Sequence, residues 1–193
     1  MGPHLRPTRR GRGVRGRRAR LSRRSVSRAQ LTLVAVIADT HLPRGARRLP
    51  QECLRRCEAA GVILHLGDVV AAFVLDELRG LGRVEAIYGN MDEPGLRETL
   101  PQRHVVEIDG VRVGMTHIPG PRAGREARLV GWFPDCQAVV YGHTHVPQVE
   151  RYEGVWILNP GSPTERRSAP THSMLELEIA GGHARPTLIT LHP

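Results

Sequence analysis

The side chains best suited to chemistry in this sequence are Asp, His and Asn residues that directly follow short apolar runs. Carboxylate and amide oxygens together with imidazole nitrogens, without thiolates, suit borderline or harder divalent ions. Seven such ligands are too many for one tetrahedral ion, but they suit two ions that share a carboxylate about 3.5–4 Å apart. We therefore predict a two-metal site formed by Asp39, His41, Asp68, Asn90, His117, His143 and His145.

The chemistry that such a site supports is metal-assisted hydrolysis, for example of a small phosphate ester. Two divalent ions lower the pKa of a bridging water, so that hydroxide attacks phosphorus in line and no protein nucleophile is required. We expect Mn²⁺ as the preferred ion, with Fe²⁺, Zn²⁺ or Ni²⁺ as alternatives. Asp68 is predicted to be the shared carboxylate, and Asp68, Asn90 and His143 are predicted to be the catalytic residues. Substrate-binding residues are left unassigned.

The first half of the sequence places these residues at the ends of predicted strands. Leu31–Ala38, Val62–Leu66 and Val84–Tyr88 are apolar runs typical of buried strands, and the predicted helices Leu49–Ala60 and Val70–Arg79 separate them. Because parallel strands end at one edge of a sheet, loops that are distant in sequence should converge there.

The second half is richer in predicted strands. His104–Ile108 and Val111–Thr116 flank Asp109-Gly110, a strong signal for a two-residue hairpin. A helix is predicted over Arg122–Trp132, and further strands are predicted over Gln137–Tyr141, Gln148–Tyr152, Val155–Leu158, Ser173–Ile179 and Thr187–Leu191. The pattern predicts an α/β (α+β) fold, a four-layer αββα sandwich of two mixed β-sheets flanked by helices. The metal site should lie at the C-terminal edge of the strands.

Charge is distributed unevenly along the chain. Residues 1–30 contain eleven Arg and no acidic residue, whereas residues 31–193 contain seventeen Arg and all nineteen acidic residues. We interpret residues 1–30 as a disordered Arg-rich tail, which either binds nucleic acid non-specifically or reflects a translation start assigned too far upstream. Residues 31–193 are predicted to form the catalytic domain.

The expected setting of the protein is cytoplasmic. The three Cys residues include no C-x-x-C pair, which indicates neither a disulfide framework nor a zinc ribbon. No apolar run reaches the roughly 18 residues of a membrane span, so no membrane partner is expected. The sequence does not indicate an oligomeric state.

The predicted ligands form an ordered set of motifs, which resembles the calcineurin-like metallophosphoesterases: Asp39-x-His41, Gly67-Asp68, Gly89-Asn90, His117 and Gly142-His143-x-His145. The short chain, Met91-Asp92 after Asn90, and Asn159-Pro160-Gly161-Ser162 are similar to the small YfcE-like phosphodiesterases. The resemblance covers about Val34 to Ser162. It implies that one metal is held by Asp39, His41, Asp68 and His145, and the other by Asp68, Asn90, His117 and His143.

Two residues depart from that family pattern. Met91 stands where many larger members carry a His that protonates the leaving group, and Met has no proton to donate. We therefore expect diesters or esters with good leaving groups to be preferred over unactivated monoesters. Ile118 follows His117 where the family more often has Gly, so we expect a narrower substrate pocket.

Several other residues carry simpler interpretations. His65 lies inside a predicted strand and is interpreted as a buried core imidazole rather than a ligand. Asn159-Pro160-Gly161-Ser162 is a turn on its sequence alone, and the resemblance places it near the metals. Arg44 and Arg122 follow ligand loops and could contact a phosphate, but solvated loop residues are the simpler interpretation.

Two competing functions remain open at this point. A non-catalytic protein-interaction scaffold, like the retromer subunit that shares the fold, should show degraded ligands, whereas all seven positions here are metal-competent. A nucleic-acid-directed phosphodiesterase would use the basic tail to bind the phosphate backbone of its substrate. The net charge of −2 on residues 31–193 argues against an extended basic groove.

Overall fold

The computed structural model describes residues 1–2 and 31–192. The predicted tail therefore lies almost entirely outside the described residues. The described part contains ten strands and four helices. In chain order they are β1 Thr32–Ile37, α1 Gln51–Ala59, β2 Val62–His65, α2 Ala72–Arg79, β3 Arg83–Ala86, α3 Pro94–Thr99, β4 Arg103–Ile108, β5 Val111–Thr116, α4 Arg125–Trp132, β6 Ala138–Tyr141, β7 Gln148–Tyr152, β8 Val155–Asn159, β9 His172–Ala180 and β10 His183–Leu191.

The strands form two five-stranded mixed sheets. The first sheet has the order β10-β9-β1-β2-β3, in which β1, β2 and β3 are parallel and β9 and β10 are antiparallel to their neighbours. The second has the order β4-β5-β6-β8-β7, with β5, β6 and β8 parallel and an antiparallel strand at each edge. These two sheets confirm the predicted fold class.

The alternation of side chains along the strands produces the four layers. Val34 and Val36 of β1 point between the sheets and pack in one cluster with Val113 and Met115 of β5. The intervening residues of β1 face α1 and α2, where a second cluster includes the buried thiols of α1. A third cluster packs α4 against the outer face of the second sheet. Because each fully buried aliphatic side chain contributes about 1.5–3 kcal/mol, this layering supplies the largest favourable contribution to folding.

The structure differs from the prediction at a few elements. The helix α3 was not predicted, because its six residues are too few to show a helical period. The last strand starts at His183 rather than Thr187 and contains Pro186, which is tolerated because β10 is an edge strand. No helix in the described part of the chain is both long and apolar enough to cross a membrane.

Candidate metal centre

All seven predicted ligands come together at one edge of the two sheets. Asp39 and His41 follow β1, Asp68 follows β2, and Asn90 follows β3 in the first sheet. The other three, His117, His143 and His145, follow β5 and β6 of the second sheet. The carboxyl ends of the parallel strands in the two facing sheets point the same way, and this arrangement brings the loops together.

Asp39, His41 and His145 form a cluster that we call the first pocket. Their ligand atoms all lie within 4.8 Å of one another, and all three residues are buried. The Nε2 atoms of His41 and His145 are 3.3 Å apart, and their rings stack with centroids 5.2 Å apart. Oδ1 of Asp39 lies 3.4 Å from Nε2 of His145. Such spacing leaves room for one cation among the three groups.

Asp68, His117 and His143 form a second cluster, the second pocket, whose ligand atoms also lie within 4.8 Å of one another. Oδ2 of Asp68 is 3.3 Å from Nε2 of His117, and Oδ1 of Asn90 is 3.2 Å from the same nitrogen. The Asp68 oxygen also lies 3.7 Å from Nε2 of His41 in the first pocket. Asp68 is thus the carboxylate that faces both pockets.

Hydrogen bonds fix the proton position on two of the histidines. Nδ1 of His117 donates to the Leu66 carbonyl oxygen at 2.7 Å, and Nδ1 of His145 donates to the Glu165 carbonyl oxygen. Because a carbonyl can only accept, each ring in its neutral form carries its proton on Nδ1 and presents an unprotonated Nε2 to its pocket. Histidines that bind metals are commonly oriented by this arrangement.

The two carboxylates of the site differ in acidity, because Asp68 is hydrogen-bonded to His117. Burial is the main reason why the pKa of Asp39 is raised to about 7, and the charge of Asp68 raises it further. Burial also raises the pKa of Asp68, but the hydrogen bond and charge of His117 outweigh it and bring the value to about 2. Burial lowers the pKa of His145 to about 4. Buried carboxylates grouped with imidazoles form an environment that favours a multivalent cation.

The backbone of the site is strained. Five of the seven residues have φ between +46° and +68°, namely Asp39, His41, Asp68, His143 and His145. This left-handed conformation is unfavourable by about 1–3 kcal/mol for each non-glycine residue and persists only where surrounding contacts impose it. The loops impose it on each other, because the Asp39 and His41 amides donate to the Gly67 and Asp68 carbonyls at 3.0 and 2.9 Å.

Asp92 is a buried carboxylate that joins two of the loops. Its Oδ1 accepts from the Val70 amide at 2.6 Å, and its Oδ2 accepts from the Gly89 amide at 2.7 Å. It thereby ties the loop after β2, which carries Asp68, to the loop after β3, which carries Asn90. This role was not predicted from the sequence, although Asp92 lies only two positions after the predicted ligand Asn90.

The turn that begins at Asn159 supports the other side of the site. The Asn159 side-chain amide donates to the Gly142 carbonyl oxygen at 3.1 Å, in the loop that carries His143 and His145. Farther along the turn, Ser162 Oγ donates to the Asp39 carbonyl oxygen at 2.8 Å. The placement of this turn beside the predicted ligands is thus confirmed.

His65 is a satisfied core residue, as predicted. The imidazole is fully buried, with Nε2 3.1 Å from Thr40 Oγ1, and its Nδ1 accepts from the Gly67 amide at 3.3 Å. Burial lowers its pKa to about 3, so the ring is neutral at ordinary pH. It packs beneath the site and is absent from both pockets.

Exposed apolar side chains surround the opening of the site. Met91, Ile118 and Val146 are 49%, 45% and 45% exposed, and each directly follows one of the seven residues. Ile118 lines a cavity of about 150 Å³ together with Asn90 and His117. Of the two arginines considered from the sequence, Arg44 is exposed, and Arg122 lines a separate cavity of about 420 Å³ beside Thr144.

Comparison with known proteins agrees with this geometry. Residues 33–182 match the family described as the calcineurin-like phosphoesterase superfamily domain. A probable metallophosphoesterase of Methanocaldococcus jannaschii is 35% identical over 150 residues, which cover 76% of each chain. A phosphodiesterase of the same organism is 28% identical over 142 residues, covering 66% of this chain and 82% of that protein.

Solved structures share the fold. A Thermotoga maritima protein studied by NMR superposes with a TM-score of 0.67 at 33% identity, covering 83% of this chain and 99% of that one. Vps29 of Entamoeba histolytica in complex with zinc superposes with a TM-score of 0.64 at 27% identity, with the same coverage. Both similarities span nearly the whole of the other protein.

Proposed function

Since this chain belongs to the calcineurin-like phosphoesterase superfamily, we propose that it is a divalent-metal-dependent phosphodiesterase that hydrolyses small phosphate esters. The observation that carries the proposal is the pair of ligand clusters with Asp68 between them. A phosphodiesterase among the relatives supports the choice of diesters.

The residues present fit two divalent cations. The first cation would be held by Asp39, His41, Asp68 and His145, and the second by Asp68, Asn90, His117 and His143. Oxygen and imidazole donors without thiolate suit Mn²⁺, and the His117 and His145 rings, when neutral, would present an unprotonated Nε2 for binding. When bound, two such ions lower the pKa of a water molecule and neutralise charge on the phosphoryl oxygens.

The protein's own residues position these groups and supply no covalent nucleophile. Hydrogen bonds from His117 and His145 to backbone carbonyls fix both imidazoles, and Asp92 holds the loops of Asp68 and Asn90 in register. Met91, at the exposed rim, offers no proton to a leaving group. This absence supports a preference for diesters and for esters whose leaving groups depart unprotonated.

A binding scaffold is the alternative from another class, since Vps29 proteins are among the structures that this fold matches. The retention of metal-competent side chains at all seven positions favours catalysis instead. Nucleic-acid-directed hydrolysis depends on residues 3–30, which lie outside the described part of the chain.

The test is hydrolysis of bis(p-nitrophenyl) phosphate by the full chain, first stripped of metal and then resupplied with Mn²⁺. We expect activity only with metal, and a loss of at least about 100-fold in Asp68→Asn. Asp76→Asn, an exposed carboxylate on α2, is the matched control and should retain full activity. A folded protein with no turnover under any divalent ion would refute the proposal and favour the scaffold. Higher activity on p-nitrophenyl phosphate would contradict the preference for diesters.

A further inference from the structure

Glu165 is a carboxylate beside the first pocket that sequence analysis did not single out. Its Oε2 atom lies 3.6 Å from Nε2 of His41. The same His41 nitrogen lies 3.3 Å from Nε2 of His145 and 3.7 Å from Oδ2 of Asp68. The distance of Glu165 from His41 therefore lies between those of the two residues already assigned to the same cation.

Hydrogen bonds hold both the backbone and the side chain of Glu165 in place. Its amide donates to Ser162 Oγ at 2.9 Å, and its carbonyl oxygen accepts from His145 Nδ1. The carboxylate itself accepts from Arg47 Nη1 at 3.1 Å, with the two side chains only 20% and 29% exposed. A side chain held at both ends loses little further freedom when it binds a ligand, which favours a specific role.

We propose that Glu165 supplies a further carboxylate oxygen to the cation in the first pocket. This inference rests on the proposed two-metal function. Ligand atoms bound to one ion at about 2.0–2.2 Å lie roughly 3–3.6 Å from each other, and the observed separation falls at the upper end of that range.

The added oxygen changes which ion the pocket prefers. Asp39, His41, Asp68 and His145 provide four donors, the number that Zn²⁺ usually takes in tetrahedral sites. Glu165 raises the number to five and adds a hard oxygen ligand, which moves the pocket towards ions that take six ligands, such as Mn²⁺. Glu165 thus shifts the relative affinity of the first pocket from Zn²⁺ towards Mn²⁺.

The test compares metal binding by the metal-free full chain, its Glu165→Gln variant and a matched control. Glu176→Gln is the control, because Glu176 is 16% exposed and paired with Arg56 at 2.7 Å but lies in the middle of β9. Calorimetric titration should show two Mn²⁺ ions bound by the wild type and the control. In Glu165→Gln one of the two Mn²⁺ dissociation constants should rise about 10-fold or more, while that for Zn²⁺ rises less than about 3-fold.

Electron paramagnetic resonance shows whether both pockets remain filled. With two equivalents of Mn²⁺ the wild type should show a coupled pair, whereas Glu165→Gln should show the six-line spectrum of isolated Mn²⁺. Wild-type affinities in Glu165→Gln, or an equal loss for both metals, would overturn the role of Glu165 and leave the two-metal function intact. A wild type that binds fewer than two ions would overturn the two-metal function itself.

Discussion

Gly89 is the position where a single added methyl group should disable the site. A Cβ atom built on Gly89 would lie 2.2 Å from Oδ1 and 2.3 Å from the backbone nitrogen of Asp68. Real Cβ atoms essentially never lie closer than 3.0 Å to such an atom. The Gly89→Ala variant therefore has to move the loop of Asp68 by about 1 Å.

The size of the effect follows from that displacement. Moving a catalytic group by about 1 Å lowers the rate on the order of 100-fold. Forcing an extra carbon into a packed site also reduces the free energy of unfolding by about 1–3 kcal/mol. We therefore expect kcat/KM for bis(p-nitrophenyl) phosphate with Mn²⁺ to fall about 100-fold in Gly89→Ala, in a protein that still folds.

Gly95→Ala is the matched control. Gly95 lies six positions later, in α3, and a Cβ there would have no atom within 4 Å. Because Ala is favoured over Gly in a helix by about 1 kcal/mol, this variant should be fully active and no less stable than the wild type. A Gly89→Ala protein with the kcat/KM of Gly95→Ala would refute the reasoning, since it would show that Asp68 tolerates the displacement.

Three further predictions concern residues around the site. In Asp92→Asn an amide group replaces one of the two oxygens that accept a backbone N–H. The free energy of unfolding measured with urea should therefore fall by about 2–4 kcal/mol. An unchanged urea midpoint would contradict the role of Asp92. The pKa of His65 falls from 6.5 in the unfolded chain to about 3 on folding, so its stabilising contribution is complete above pH 6.5 and lost towards pH 3. Protonation of His65 should therefore lower the free energy of unfolding by about 2 kcal/mol between pH 8 and pH 5. In His65→Gln the decrease over the same pH range should be smaller by that amount. Met91→His places a proton donor at the rim and should raise the ratio of monoester to diester turnover, whereas an unchanged ratio would argue against leaving-group protonation at this position.

The sequence predicted the parts of the structure that depend on local pattern. The continuous apolar run before Asp39 and the shorter run before Asp68 both became buried parallel strands within two residues of their predicted bounds. Parallel strands impose a common edge, so the convergence of residues as distant as Asp39 and His145 follows once the strands are recognised. The seven residues were predictable because each lies within four residues of the end of a strand.

The residues that hold the site in place were harder to predict. Glu165 contacts His41 and Arg47 from more than a hundred positions away, and nothing in its neighbourhood, Pro163-Thr164-Glu165-Arg166, indicates a partner. Contacts of this kind depend on the final packing of loops and leave no periodic pattern in the sequence. The same holds for α3, which is shorter than two helical turns.

The strained backbone of the site explains why local rules fail there. A left-handed conformation would ordinarily be filled by Gly or Asn, and turn propensities would therefore not assign it to His41, His143 or His145. Glycine cannot serve at these positions because the imidazole is required, so contacts from other loops must offset the strain. Those contacts come from backbone carbonyls after β2 and from the turn after β8. The arrangement ties each candidate ligand to loops far away in sequence, and for this reason substitutions in the supporting turn should affect metal binding without touching a metal.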